Sequence, residues 1–103
     1  MNELLKVEVN KNNEQIVNGR MLYEFLQINT PYTQWFERML KYGFSENIDF
    51  VTASQKSETA NGGYTIRIDH TLKLNMAKEL CMLARNERGK EARQYFIKCE
   101  EAW

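Results

Sequence analysis

Alternating polar and apolar residues near the start of the chain predict a short β-hairpin followed by a helix. Residues 6–9 alternate as a half-buried strand does, residues 10–13 are turn formers, and residues 15–17 have the composition of a returning strand. Asn18 stands where a side chain caps a helix, and apolar residues at helical spacing extend that helix over residues 19–26. The chain therefore opens with a hairpin and a helix.

A second amphipathic pattern begins at Thr30-Pro31. Threonine is a good capping residue and proline is favoured at the first helical position, so a helix is predicted over residues 31–42, ending at Gly43. One face of this helix is apolar and predicts core: Tyr32, Trp35, Phe36, Met39 and Leu40. The opposite face is polar and predicts exposure to solvent: Thr33, Gln34, Glu37, Arg38 and Lys41.

The middle of the chain predicts a second hairpin. Residues 50–53 have strand composition, and residues 64–68 alternate polar and apolar side chains as an antiparallel partner would. The polar residues 54–63 between them end in Asn-Gly-Gly and are too many for a tight turn. They predict a mobile, wing-like tip.

Two helical patterns complete the chain. The first begins at Asp69 or Thr71 and runs to about residue 85, residues 86–89 interrupt it, and the last helix spans residues 90–103. Trp103 lies on the apolar stripe of that last helix with no capping residue after it. We therefore expect this chain to be the N-terminal part of a longer protein.

These elements predict an α+β fold, a small and mostly helical domain with a short N-terminal β-hairpin, a wing-like second hairpin and about four helices. With 43% apolar residues, the 103-residue chain can bury one core, so residues 1–103 are expected to form a single domain. No apolar run reaches the roughly 18–20 residues that span a bilayer, and the N-terminus lacks the features of a signal peptide. A cytoplasmic protein without a membrane partner is expected.

Few side chains in the sequence could carry out a reaction. The single histidine, His70, follows Asp69 and could act as a carboxylate-oriented base, but a packed or capping ring at a strand-to-helix junction is favoured. Cys81 and Cys99 have apolar neighbours and no CxxC spacing, which favours two buried free thiols over a disulfide or a redox pair. We expect no enzyme activity, no cofactor, no metal and no small-molecule substrate.

The charged residues are balanced overall but unevenly distributed. Residues 1–50 carry five basic and seven acidic side chains, whereas residues 51–103 carry nine basic and seven acidic ones. Three regions could contact nucleic acid: the basic junction at residues 85–93, the tip at residues 54–63 and the polar face of the second helix. The candidate nucleic-acid-binding residues are Arg38, Lys41, Lys56, Arg67, Arg88, Lys90 and Arg93.

Each of these regions also has a plain structural interpretation. The junction could be a solvated helix corner, the tip a flexible loop, and the aromatic face of the second helix is expected in the core rather than as a base-stacking platform. Trp35 and Trp103 are candidate protein-contact residues on the condition that they are exposed.

Five segments of the chain stand out as motifs: NTPYTQWF at residues 29–36, YGF at 42–44, DF at 49–50, LNMAKELCM at 74–82 and RNERGKEARQYF at 85–96. They resemble the motifs of the AntA/AntB antirepressor family of phages and prophages. Together they cover most of residues 17–100 in order. The resemblance implies the N-terminal domain of an antirepressor, which relieves repression by a lysogeny repressor and favours lytic growth in the bacterial host. The family is more distantly similar to the BRO-N and KilA-N modules, which are regarded as DNA-binding.

Two hypotheses about the function follow. The first is a DNA-binding regulatory module, expected to be dimeric, whose target is phage operator DNA. The alternative is a protein-interaction module that binds the phage repressor or associates with itself, which the neutral net charge and the aromatic-rich, methionine-containing helices favour.

Overall fold

Four strands and four helices make up the part of the chain that the computed structural model describes, residues 5–102 without the Gln55 side chain. In chain order the elements are β1 (Val7–Val9), β2 (Gln15–Asn18), α1 (Gly19–Leu26), α2 (Tyr32–Leu40), β3 (Phe50–Glu58), β4 (Tyr64–Lys73), α3 (Leu74–Ala84) and α4 (Glu87–Glu101). The expected α+β class, with two hairpins and four helices, is confirmed.

All four strands belong to one antiparallel sheet in the order β1-β2-β4-β3. Strand β4 joins the two hairpins, because its last three residues pair with β2 while Tyr64–Leu72 pair with β3. Ile16 lies opposite Lys73 in the first pairing, and Phe50 lies opposite Leu72 in the second. The β3–β4 hairpin therefore extends well beyond the end of β2.

The second hairpin is longer than the sequence predicted. Residues 54–58 belong to β3 and pair with β4, and a short turn at residues 59–63 replaces the expected mobile tip. The prediction of a helix from Asp69 or Thr71 is also wrong, because β4 continues to Lys73 and α3 begins at Leu74. Leu72 fits the helical spacing of the following apolar residues, but it is buried within the sheet instead.

Two helix starts differ from the predictions. Thr30 does not cap α2; Pro31 occupies the N-cap position in an extended conformation, and the carbonyl of Thr30 accepts a hydrogen bond from the Tyr23 hydroxyl. Helix α4 begins at Glu87 instead of residue 90, because the Asn86 side chain accepts a hydrogen bond from the Gly89 amide. The predicted Asn18 cap of α1 is confirmed by its bond with the Met21 amide.

One hydrophobic core lies between the sheet and the helices. Aromatic side chains of α2 fill the side facing β3 and β4, and α1 contacts both C-terminal helices. The side chains that are almost fully buried include Phe25, Phe96, Leu22, Leu26, Leu72, Met76 and Leu80. Among the described residues, none of the helices combines the length and the apolar character needed to cross a bilayer.

Candidate functional site

The single histidine lies inside strand β4, where its ring packs against aromatic neighbours. The His70 ring stacks on Phe36, with ring centroids 3.7 Å apart and an interplanar angle of 9°. Its Nδ1 atom forms a 2.7 Å hydrogen bond with the Tyr32 hydroxyl. Burial lowers the pKa of His70, so the neutral ring is favoured. The packing interpretation agrees with these contacts, although the residue is not at a strand-to-helix junction.

We expect the stability of the domain to fall as the pH drops below the ordinary histidine pKa of 6.5. Because the pKa of His70 is lower in the folded protein than in the unfolded chain, the unfolded chain binds the proton first as the pH falls. The contribution of His70 to stability is therefore fully present above the ordinary pKa and is lost below it. The replacement His70→Phe keeps a ring for Phe36 but cannot titrate. Urea unfolding between about pH 7.5 and pH 5 should show a wild-type stability that declines relative to this variant. Equal pH slopes for the two proteins would contradict the assignment.

Arg67, one of the candidate nucleic-acid contacts, forms an ion pair within the hairpin. Its Nε atom lies 3.2 Å from Asp69 Oδ1, and Arg20 Nε lies 2.7 Å from the same oxygen. Burial would raise the pKa of Asp69, but the two guanidinium groups outweigh it and the pKa lies below its ordinary value. The charge of Arg67 is therefore partly neutralised, although about half of its side chain is exposed.

Arg88 is occupied by contacts with the end of helix α1. Its Nε atom donates to the Phe25 carbonyl over 3.0 Å, and its guanidinium lies 4.0 Å from the centre of the Phe25 ring. Asn86 donates in the same way to the Leu26 carbonyl over 3.2 Å. These carbonyls are among the last four of α1, which have no partner within the helix. Arg88 is therefore a structural residue that joins α4 to α1.

The two candidate cations of the second hairpin lie on opposite faces of it. Lys56 pairs with Ile66, and the neighbouring residue Gln55 pairs with Arg67, so the alternation of the strands separates the two cations. Lys56 Nζ lies 4.2 Å from the centre of the Tyr64 ring, a cation–π distance. A single flat ligand cannot contact both cations from one side.

The other four candidate cations are exposed on helices. Arg38 lies on the outward face of α2, and Lys41 directly follows the last residue of that helix. Lys90 and Arg93 lie on α4. Within residues 5–102 none of the four lies within ion-pair distance of a carboxylate. The sequence predicted the first pair on the second helix and the second pair on the last helix, and the structure agrees.

An open groove lies between α3 and the first turns of α4. Its apolar part includes the exposed side chain of Met82, and its charged lining consists of one acid, Glu87, and three cations, Arg85, Lys90 and Arg93. The Cys81 thiol also lines the groove but is buried, and burial raises its pKa to about 12. Cys81 and Cys99 are both free, and only Cys81 is fully buried, so the prediction of two buried thiols holds for one of them.

Trp35, one of the two candidate protein-contact tryptophans, is buried in the core. Trp35 is only 2% exposed and packs against Tyr23 and Tyr32, so the condition of exposure is not met. It lies in the core because it shares the inward face of α2 with Phe36 and Met39. Trp103 lies outside the described residues.

Sequence reasoning missed an exposed apolar row on strand β4. Tyr64, Ile66 and Ile68 are 60%, 69% and 48% exposed, respectively. They share one face of the strand because side chains two residues apart point the same way. The alternation of residues 64–68 was the available signal, but it predicted only an antiparallel strand and not whether its apolar face is covered. Within the part of the chain that the structure describes, no other element covers that face.

The chain matches the model of a known protein family. The family model described as AntA/AntB antirepressor matches residues 17–86, which include the last two residues of β2, α1, α2, both strands of the second hairpin and α3. Comparisons with curated proteins and with solved structures find no match to this chain.

Proposed function

This chain belongs to the AntA/AntB antirepressor family, and we propose that it relieves repressor control of lytic genes as a DNA-binding regulatory module. The outward face of α2 is the observation that carries this proposal. All of its side chains can form hydrogen bonds or ion pairs, whereas the inward face is aromatic and buried. Such a helix can approach DNA without losing its contacts with the core.

The exposed cations support phosphate contact beside that helix. Arg38 and Lys41 belong to the same surface, and Lys90 and Arg93 form a second group on α4. Each Lys or Arg that neutralises a phosphate releases condensed counterions, which makes binding depend on salt. Since the net charge of the chain is +0, the attraction comes from these local groups and is expected to be modest.

A salt titration of DNA binding tests the proposal. We expect the protein to bind operator-region duplexes of its phage, with an affinity that falls as salt rises from about 50 to 200 mM. The double replacement of Arg38 and Lys41 by alanine should reduce the slope of log affinity against log salt by about 2, and so should that of Lys90 and Arg93. The matched control is Lys11→Ala, which removes an exposed cation from the turn of the first hairpin.

Two outcomes would contradict DNA binding. One is the absence of binding at about 50 mM salt, and the other is an affinity that does not change with salt. A slope reduced by about 1 in the single-charge Lys11→Ala control, half the loss in each double variant, would show that only the total charge matters and would remove the assignment of these four cations.

Binding of the phage repressor is a second candidate function, and the groove between α3 and α4 supports it. Met82 is 57% exposed there and is flanked by Arg85, Lys90 and Arg93, an arrangement suited to an acidic segment with an apolar anchor. If this is the antirepressor contact, Met82→Ala should weaken co-purification of the repressor and leave DNA binding unchanged, because it changes no charge beside Lys90 and Arg93. The matched control is Ile48→Ala, which removes an apolar side chain that is 64% exposed and does not line this groove.

A further inference from the structure

The outer part of the second hairpin is a free-standing arm, consisting of residues 51–58 of β3 and residues 64–70 of β4. Strand β2 pairs only with residues 71–73 of β4, so both edges of the arm lack a neighbouring strand within the described chain. The arm contributes to an elongated outline of 46 × 32 × 29 Å. The radius of gyration is 14.3 Å, compared with about 13 Å for a compact domain of this length.

One face of the arm is a continuation of the sheet face that packs against the core at the base of the hairpin. Leu72 and His70 occupy this face near α2, and Ile68, Ile66 and Tyr64 follow on the same side toward the tip. Strand β3 adds a parallel row of polar side chains to that face: Ser54, Lys56 and Glu58. The apolar row is thus an uncovered extension of the core surface. Exposed apolar rows beside unpaired strand edges usually mark an interface.

We infer that this face of the arm is covered by the same face of a second copy of the chain, with the two arms antiparallel. The two-fold axis passes near the Ser57–Thr65 pair. In that arrangement Ile66 of each copy packs on Tyr64 of the other, since the two residues lie at equal distances on either side of the axis. The same symmetry places Lys56 of each copy over Glu58 of the other.

The charges on this face of the arm favour a second copy of the chain as the partner and an antiparallel direction of the two arms. In arms packed parallel about a two-fold axis, β3 of each copy would lie over β4 of the other, so Lys56 would face Ile66 and Glu58 would face Tyr64, and each charge would be covered without an opposite charge. The antiparallel arrangement instead places each of these charges against an opposite one. An isologous interface brings the same patch of both copies together, so that patch must be complementary to itself. One acid and one base at equal distances on either side of the two-fold axis meet this requirement. The net charge of +0 also means that two copies do not repel each other overall.

Sedimentation velocity of the full chain between about 5 and 500 µM tests this inference, since an interface of arm size is expected to be weak. We expect a monomer that converts to a dimer as concentration rises. Ile66→Lys should raise the dissociation constant at least about tenfold, because the change occurs twice in the dimer. Thr65→Lys is the matched control, with the same new charge one residue away on the opposite face, and it should leave the dimer intact.

Charge reversal provides a test that does not depend on apolar contacts. Lys56→Glu alone and Glu58→Lys alone should each weaken the dimer, and the double variant should restore it because every cross-pair regains opposite charges. A monomer at all concentrations, or equal effects of Ile66→Lys and Thr65→Lys, would overturn the inference. The test is independent of DNA and repressor binding, so its failure leaves the proposed function in place. Circular dichroism of each variant establishes that the domain is folded.

Discussion

Replacement of Gly89 by alanine is expected to lower the free energy of unfolding by about 3 kcal/mol. Alanine is the better helix former by ~1 kcal/mol, so helix propensity alone predicts the opposite sign. In the structure, however, a Cβ atom at residue 89 would overlap the backbone carbonyl oxygen of Cys81 and lie 3.2 Å from Ala84 Cβ. Since the oxygen belongs to the backbone of α3, it cannot rotate away and the two helices must separate.

Thermal unfolding measures this effect. A loss of about 3 kcal/mol in a domain of this size corresponds to a decrease in Tm of roughly 12–24 °C. Gly63→Ala is the matched control, because a Cβ atom there would lie 3.5 Å from Thr59 Oγ1, an ordinary contact distance. That variant should unfold within a few degrees of the wild type. A Gly89→Ala protein as stable as the wild type would show that α3 and α4 do not approach as closely as described.

The second large effect is expected from Asn86→Ala, with a loss of about 2 kcal/mol. The Asn86 side chain accepts from the Gly89 amide over 2.7 Å at the start of α4 and donates to the Leu26 carbonyl over 3.2 Å at the end of α1. Alanine leaves both groups without this partner. Because one side chain satisfies the ends of two helices, its loss also weakens the contact between them.

Asn86→Asp separates the two roles of this side chain. A carboxylate still accepts from the Gly89 amide but cannot donate to the Leu26 carbonyl, so the stability of this variant should lie between those of the wild type and Asn86→Ala. Urea unfolding at neutral pH gives the comparison directly. If the aspartate and alanine variants were equally unstable, the bond with Leu26 would account for the whole effect and the cap of α4 would contribute nothing.

The sequence was most informative where local signals act alone. Asn18 was identified as a cap before an amphipathic stretch, and α1 spans Gly19–Leu26 as predicted. Periodicity also identified the inward face of α2, because its side chains face the core at helical spacing. The family motifs around α2 and at the junction of α3 and α4 include several core and capping residues, such as Trp35, Phe36, Asn86 and Gly89.

Features that depend on distant partners were not predictable in the same way. Residues 54–58 are polar, so their composition resembles a loop, and only their pairing with β4 makes them a strand. Asn86 and Gly89 resemble an interruption between helices, since nothing in the local sequence shows that Cys81 and Leu26 lie beside them. Both errors concern residues whose conformation is set by contacts from other elements.

The candidate site shows the same limit. Seven cations were selected as possible nucleic-acid contacts by their charge, but charge does not indicate whether a side chain has a partner in the fold. Arg88 binds the Phe25 carbonyl, and Arg67 binds Asp69. The cations of α2 and α4, which form no ion pair among residues 5–102, carry the proposal of DNA contact, whereas the apolar row of the arm contains no charged residue and was overlooked.

The position of β4 between the two hairpins has a consequence for how this domain reaches its native state. Strand β2 comes from the first fifth of the chain and must wait for the end of β4 before it gains its second neighbour. Closing so long a loop costs entropy before any contact compensates for it, which slows folding relative to helical bundles of similar length. During synthesis the first hairpin and the two helices after it would leave the ribosome without the strand that completes their sheet. Their apolar surfaces would then stay open to other chains until residues 71–73 arrive.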